Sequence, residues 1–198
     1  IRDRYYPAQY EEMKKFIESG RWHISGASWD ATDTLVPSIE SALRNIMLGQ
    51  DYYRKEFGVE STDIFLPDCF GFGWTLPAIA SHCGLIGFSS QKLQWRNKPF
   101  YGNDKYPFTV GLWQGIDGST IMMTHGYDYN QRFEDGDLSE NKDLLELTGH
   151  SPLHMVYRYY GTGDIGGSPT LESVRAVEKG LQGNGPLQIV SATSDRIY

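Results

Sequence analysis

Residues 64–77 read Ile-Phe-Leu-Pro-Asp-Cys-Phe-Gly-Phe-Gly-Trp-Thr-Leu-Pro, a short apolar run followed by a glycine-containing turn. The run at residues 64–66 is too short for a helix and is ended by Pro67, so it predicts a buried strand. Beyond the turn, apolar residues recur at i, i+3, i+4 and i+7 from Leu76 to Cys83, which predicts an amphipathic helix that Gly84 ends. A buried strand followed by a helix is the repeating unit of an α/β fold.

The same alternation extends over the rest of the chain. Helices are predicted to begin at Pro7, near Pro37 and Ser38, at Ser139, and at Ser168 and Pro169. Apolar runs that predict strands lie at residues 85–88, 110–113, 120–123, 155–159 and 187–190. The second and third of these runs flank an Asp-Gly turn and predict a hairpin. Surface loops are predicted at residues 96–108 and 133–142. The pattern therefore predicts an α/β fold with mainly parallel strands alternating with helices.

The composition excludes several classes of protein. The 198 residues are 39% hydrophobic and 14% aromatic, which is enough apolar surface for a core. Lys and Arg number 18 against 25 Asp and Glu, and the net charge of −7, without a basic run, argues against nucleic acid or an anionic membrane as the main partner. No apolar stretch approaches the roughly 20 residues that span a bilayer. Two cysteines are too few for a disulfide framework.

Two carboxylates follow predicted strands at positions where α/β folds bind ligands. Asp68 follows the strand at residues 64–66 with only Pro67 between them, and Asp164 lies in the glycine-rich loop 160–167. Such a pair fits the two-carboxylate scheme of glycoside hydrolysis, in which one group stays ionised and the other donates a proton. The competing interpretations are a cap of the next turn for Asp68 and a solvated turn for Asp164.

Other candidate groups carry weaker signals. The five histidines are scattered without the spacing of a metal-binding motif. Cys69 is a candidate nucleophile, but no His or Lys is near it in sequence, so a small buried thiol is the competing interpretation. The tryptophans either stack on sugar rings or belong to the core.

Taken together, these residues resemble the glycoside hydrolase family 38 α-mannosidases, in the form found in bacterial members. The run at residues 64–77 is similar to the nucleophile motif of that family, in which a strand is followed by Pro-Asp-x-Phe-Gly and then Leu-Pro. Further segments that agree in order and spacing are residues 20–22, 29–33, 37–44, 91–95, 113–119 and 163–170. The resemblance covers nearly the whole chain.

The resemblance implies a retaining, metal-dependent exo-α-mannosidase that hydrolyses terminal α-mannosides of glycans. By the matching motifs, Asp68 is the nucleophile and a metal ligand, and Asp164 is the general acid/base. The substrate-binding residues implied in the same way are Lys92, Trp95, Tyr127 and Asp128. The metal would be Zn²⁺, or Ca²⁺ or another divalent cation as in some relatives.

The family's remaining metal ligands come from a His-x-Asp motif and a later His segment, and neither motif occurs in this sequence. We therefore expect residues 1–198 to be an incomplete segment of one catalytic domain, a seven-stranded (β/α) barrel-like fold, with flanking parts at both ends. A segment with one metal ligand is expected to be inactive alone. Its expected partners are α-mannoside glycans and the rest of the same chain, with self-association left open. A periplasmic or secreted location would follow from family analogy only.

Three alternatives stay open at this point. Another metal-dependent carbohydrate hydrolase, such as a polysaccharide deacetylase-like enzyme, would show an early Asp-Asp or His-x-x-x-His motif. A carbohydrate-binding module would be a β-sandwich, whereas this chain repeatedly shows helical periodicity. A degenerate, non-catalytic homologue is opposed by the presence of both Asp68 and Asp164.

Overall fold

The computed structural model describes residues 2–94, 109–125 and 130–198. Its helices are α1 (Arg2–Tyr5), α2 (Pro7–Glu18), α3 (Ile39–Phe57), α4 (Leu76–His82), α5 (Lys142–His150) and α6 (Leu171–Gln182). Its strands are β1 (Asp63–Phe65), β2 (Gly87–Ser90), β3 (Val110–Gln114) and β4 (Thr120–His125). Short 3₁₀ turns cover Lys92–Gln94, Leu138–Glu140 and Ser194–Arg196. Among the helices so described, none is both long and apolar enough to cross a membrane.

The strands form one sheet in the order β1-β2-β4-β3. Strands β1, β2 and β4 are parallel, and β3 pairs antiparallel with β4 at the edge. The predicted hairpin between β3 and β4 is confirmed: Gly115 N–H donates to Ser119 O at 2.8 Å, and Gly118 has φ 87°. The expectation of an α/β fold with mainly parallel strands is thus confirmed for the part of the chain described. The seven-stranded barrel remains a prediction.

One face of the sheet packs against helices α3 and α4 to form the main core. Alternate strand residues point to this face, as the two-residue period of a strand requires. The buried members of this core are Ala27, Ile46, Ile64, Leu66, Leu76, Ile79, Ala80, Leu85, Phe88, Ile121 and Met123. A second, smaller core joins α5 and α6 through Leu138, Leu144, Ala176 and Leu187.

The opposite face of the sheet is more polar and is covered by tyrosines. Asp63, at the start of β1, is fully buried and its carboxylate accepts hydrogen bonds from Ser25, Gly26 and Ser61. The Phe65 ring contacts the Tyr159 ring at 5.8 Å between centroids. Burial raises the pKa of Tyr157 to about 12, so this phenol stays neutral inside the molecule.

The predicted helix at Ser139 is wrong in its starting point. α5 begins at Lys142, and the Asn141 side chain caps it by accepting from Leu144 N–H. Ser139 is instead fully buried, where its hydroxyl accepts from Gly185 N–H at 3.0 Å. The predicted surface loop at residues 133–142 is likewise wrong in part, because Leu138 and Ser139 belong to the interior.

The predicted strands at residues 155–159 and 187–190 are also wrong, because neither pairs into a ladder. Their apolar side chains serve as packing groups: Tyr159 lies against β1, and Leu187 fills the second core. The spacing of apolar residues indicates that one side of a segment is buried. It does not indicate whether a neighbouring strand is present. The predicted loop at residues 96–108 lies outside the described residues.

Candidate functional site

The carboxyl ends of β1 and β2 bring two of the candidate residues together. Asp68 follows β1, and Lys92 opens the 3₁₀ turn that follows β2, where its backbone N–H donates to Ser90 Oγ at 3.1 Å. Because β1 and β2 are parallel neighbours, both loops leave the sheet at the same edge.

Asp68 and Lys92 form an ion pair between Asp68 Oδ1 and Lys92 Nζ. The Lys92 side chain is 7% exposed, whereas that of Asp68 is 50% exposed. A lysine is rarely buried unless it is paired, and Nζ also lies 4.7 Å from the centre of the Phe70 ring. The Lys92 ammonium group is therefore buried on the protein side of the Asp68 carboxylate. The Asp68 side chain stays half exposed and accessible to a ligand.

A second loop, residues 29–36, packs against the turn that carries Asp68. Cys69 Sγ donates to Thr32 O at 3.2 Å, Thr34 Oγ1 donates to Gly71 O at 3.0 Å, and Gly73 N–H donates to Thr34 Oγ1 at 3.3 Å. Asp33 belongs to the same loop, and its negative charge acts on the Cys69 thiol next to Asp68.

The thiol of Cys69 is protonated at neutral pH. Burial is the largest cause of its raised pKa, and the negative charges of Asp33 and Asp68 add to it, while Lys92 opposes them. A nucleophilic cysteine needs its thiolate form. The structure therefore favours the interpretation of Cys69 as a part-buried thiol over that of a nucleophile.

Asp164 lies on a different loop, next to the second core. Tyr160 contacts the Phe133 ring at 6.3 Å between centroids, and Gly163 N–H donates to Asn130 Oδ1 at 3.4 Å. Ile165 N–H donates to Gly163 O at 2.8 Å, which makes Asp164 the centre of a three-residue γ-turn. Its φ of 64° lies in the left-handed region, and a γ-turn with positive φ is the rarer, strained form.

The other implied substrate-binding residues, Trp95, Tyr127 and Asp128, lie outside the described residues. Their roles stay predictions.

The described residues do not by themselves make a metal site. No group of three or more His, Cys, Asp or Glu side chains among residues 2–94, 109–125 and 130–198 is arranged to hold a metal. Asp68 offers one carboxylate, which already pairs with Lys92, whereas protein zinc sites use three or four protein ligands.

Sequence reasoning missed two residues that shape the site, Thr34 and Asn45. Asn45 lies inside α3, yet its amide group faces loop 29–36 and donates to Asp30 O at 2.8 Å. Asparagine is a poor helix former because its side chain competes for backbone hydrogen bonds, so its position within a helix was the available signal. Thr34 carried no comparable signal.

Comparison with known proteins gives a consistent result. The sequence profile described as "Glycosyl hydrolases family 38 N-terminal domain" matches residues 2–195. "Alpha-mannosidase G" of Dictyostelium discoideum is 36% identical over 176 residues, which is 85% of this chain and 15% of that protein. "Alpha-mannosidase" of Saccharomyces cerevisiae is 31% identical over 190 residues, which is 92% of this chain and 17% of that protein. The chain thus spans less than a fifth of either relative.

Two solved structures share the fold. An alpha-mannosidase from Enterococcus faecalis V583 aligns with a TM-score of 0.62 at 18% identity, covering 98% of this chain and 22% of the other. A 4-alpha-glucanotransferase from Thermococcus litoralis aligns with a TM-score of 0.62 at 14% identity, covering 99% of this chain and 29% of the other. At such identities the similarity speaks for the fold alone.

Proposed function

The chain belongs to glycosyl hydrolase family 38, and from this premise we propose that it carries the nucleophile of a retaining exo-α-mannosidase acting on terminal α-mannosides of glycans. The names of the Dictyostelium and Saccharomyces relatives support the substrate class. The observation that carries the proposal is the half-exposed Asp68 carboxylate, held at the end of β1 by the buried Lys92.

In this mechanism Asp68 attacks the anomeric carbon. Lys92 binds Asp68 Oδ1 and so orients the carboxylate, which leaves Oδ2 as the attacking oxygen. A bond forms between Oδ2 and the anomeric carbon while the bond from that carbon to the leaving oxygen breaks, and the electron pair goes to the leaving oxygen. Because its side chain is only 7% exposed, Lys92 would act on the sugar through the Asp68 carboxylate, and Trp95, Tyr127 and Asp128 would form the sugar pocket.

Asp164 is proposed as the general acid and base. As an acid it gives its proton to the departing oxygen, and as a carboxylate it then removes a proton from the water that cleaves the covalent intermediate. Retention requires the two carboxyl groups to be about 5–5.5 Å apart. The strained backbone at Asp164 supports a functional role, because such conformations concentrate at active sites.

A divalent cation, Zn²⁺ or in some relatives Ca²⁺ or another ion, is proposed as the cofactor, with Asp68 as one ligand. The remaining ligands would come from residues other than those described, since these supply no complete set. Such an ion, when bound, orients the hydroxyls of a sugar.

The test uses the complete protein and an aryl α-mannoside. We expect the wild type to hydrolyse it and to release the sugar first as the α-anomer, seen by NMR. Asp68→Asn should lower kcat by roughly 10⁴-fold or more, because the nucleophile is lost. The matched control is Asp51→Asn, at a half-exposed carboxylate in α3 that pairs with Lys55 one turn away and should leave the rate unchanged.

Three results would count against the proposal. Wild-type rates in Asp68→Asn would remove Asp68 from the nucleophile role. A β-anomer as first product would contradict retention. Binding of the mannoside without hydrolysis would favour a non-catalytic homologue.

A further inference from the structure

We propose that Thr34 is a positioning residue whose hydroxyl group fixes the turn that carries Asp68. The inference rests on the proposed function, because it concerns the geometry of the proposed nucleophile. Thr34 belongs to loop 29–36, more than thirty positions before Asp68 in sequence.

The Thr34 hydroxyl bonds to the turn at two points. It donates to Gly71 O at 3.0 Å and accepts from Gly73 N–H at 3.3 Å. A hydroxyl is a small side-chain group that can both donate and accept at one atom, as this bridge requires. The hydroxyl thereby closes the backbone of residues 71–73 into a fixed shape.

The turn needs such an external tie because of its glycines. The side chain of Leu35 covers Gly71, since a Cβ there would lie 2.3 Å from Leu35 Cδ1 and would push this exposed side chain aside. Glycine has the greatest backbone freedom of any residue. The bonds from Thr34 restrict this freedom three residues after Asp68.

Loop 29–36 is itself held by helix α3. The Asn45 amide donates to Asp30 O at 2.8 Å, and Asp30 N–H donates to Asn45 Oδ1 at 3.0 Å. Trp29 N–H donates to the backbone O of Asn45 at 2.9 Å. A continuous set of hydrogen bonds therefore runs from α3 through loop 29–36 to the turn at residues 69–73.

Lys92 orients the Asp68 carboxylate, whereas Thr34 fixes the position of the turn at residues 69–73. A displacement of about 1 Å in a reacting group can cost on the order of 10²-fold in rate. Loss of the hydroxyl should therefore lower kcat more than it changes KM, because the substitution moves the attacking carboxylate and leaves the proposed sugar-binding side chains unchanged.

The experiment compares three variants of the complete protein with an aryl α-mannoside as substrate. Thr34→Val keeps the shape and removes the hydroxyl, Thr34→Ser keeps the hydroxyl, and Thr120→Val is the control at an exposed threonine at the start of β4. We expect Thr34→Val to lower kcat by roughly 10- to 100-fold with KM within a few-fold of the wild type. Thr34→Ser should recover most of the rate, and Thr120→Val should match the wild type.

Recovery of kcat in Thr34→Ser would show that the hydroxyl group positions the turn, because serine keeps the hydroxyl and lacks the methyl group that packs. Wild-type kcat in Thr34→Val, or an equal loss in Thr34→Ser and Thr34→Val, would overturn the inference. If Thr34→Val does not fold, Thr34→Ala makes the same comparison with less bulk. An active Thr34→Val together with an inactive Asp68→Asn would overturn this inference alone, whereas a wild type without mannosidase activity would overturn both.

Discussion

At the scale of single residues, the charge of the candidate site depends on one buried cation and two nearby carboxylates. Lys92 neutralises Asp68, with which it forms an ion pair. Asp33 lies close enough to act on the Cys69 thiol and adds a further negative charge. The described part of the site is therefore net negative, which suits hydroxyl donors of a sugar and a cation.

The raised pKa of Cys69 gives a prediction about its reactivity. The thiolate is the reactive form, so a raised pKa means less thiolate at each pH. We expect iodoacetamide to modify Cys69 slowly at pH 7, and the rate to rise only above the usual cysteine pKa of about 8.5. Mass spectrometry of the labelled peptide measures this rate.

Asp33→Asn supplies the comparison for Cys69. Removing one of the charges that raise its pKa should speed the labelling of Cys69. Cys83, whose pKa is raised by burial alone, should label at the same rate in both proteins and serves as the internal control. Rapid labelling of wild-type Cys69 at pH 7 would contradict the account.

Asp164→Asn tests the proton donor. A substrate with a good leaving group needs little protonation, so an aryl mannoside with such a group should be spared more than a natural mannoside. The ratio of kcat/KM for the two substrates in the variant and the wild type measures the difference. Equal losses on both substrates would argue against the acid/base role.

The proximity of Asp68 and Lys92 could be anticipated from the sequence, because both follow strands that a parallel sheet places side by side. The role of Thr34 could not be anticipated, and the position of Asn45 inside a helix was a signal that did not identify its partner. Their partners lie 37 and 15 positions away in hydrogen bonds that depend on how the loops fold over each other. Local sequence patterns do not indicate hydrogen bonds between residues so far apart in the chain.

At the scale of elements, α3 shows which boundaries a sequence can predict. Ser38 caps its first turn by accepting from Ser41 N–H, and Gly58 ends it in the left-handed conformation with φ 68°. Both signals are local, and the predicted start of the helix near Pro37 and Ser38 agrees with the structure. The wrong strands at residues 155–159 and 187–190 depended on distant partners, which a local pattern does not reveal.

Gly49 allows α3 to approach the backbone of residues 27–29, and this gives a stability prediction. A Cβ at Gly49 would lie 2.1 Å from Ala27 O and 2.7 Å from Trp29 N. Gly49→Ala should therefore destabilise the protein by about 1–3 kcal/mol or more, as overpacked cores do. Urea denaturation of the variant and the wild type measures the change.

The control is Gly149→Ala in α5, where a new Cβ meets nothing within 4 Å. Alanine is the better helix former, so this change should stabilise by about 0.5 kcal/mol. Similar effects of the two substitutions would show that α3 does not need the close approach at Gly49.

At the scale of the whole molecule, the proposed catalytic pair is drawn from two regions of the chain. Asp68 follows a strand of the main core, and Asp164 lies in a loop beside the second core. The family profile spans both regions, from residue 2 to residue 195. Sequence motifs identified the family because they keep their order and spacing, but they do not give the distance between the two carboxylates.

The proposed metal dependence has to be tested on the complete protein. Asp68 is the one proposed ligand among the described residues, and a single carboxylate does not make a zinc site. We expect removal of divalent cations with a chelator to abolish hydrolysis of an aryl α-mannoside, and added Zn²⁺ to restore it. Circular dichroism before and after chelation controls for unfolding. Full activity in protein that elemental analysis shows to be free of metal would refute the proposed metal dependence.

The central claim, that Asp68 is the nucleophile, is tested most directly by trapping the covalent intermediate. A fluorinated mannosyl fluoride slows hydrolysis of the glycosyl-enzyme, which then accumulates. The complete protein is incubated with this reagent and digested, and the labelled peptide is sequenced by mass spectrometry. The account predicts one fluoromannosyl group on Asp68, whereas a label on any other carboxylate would contradict it.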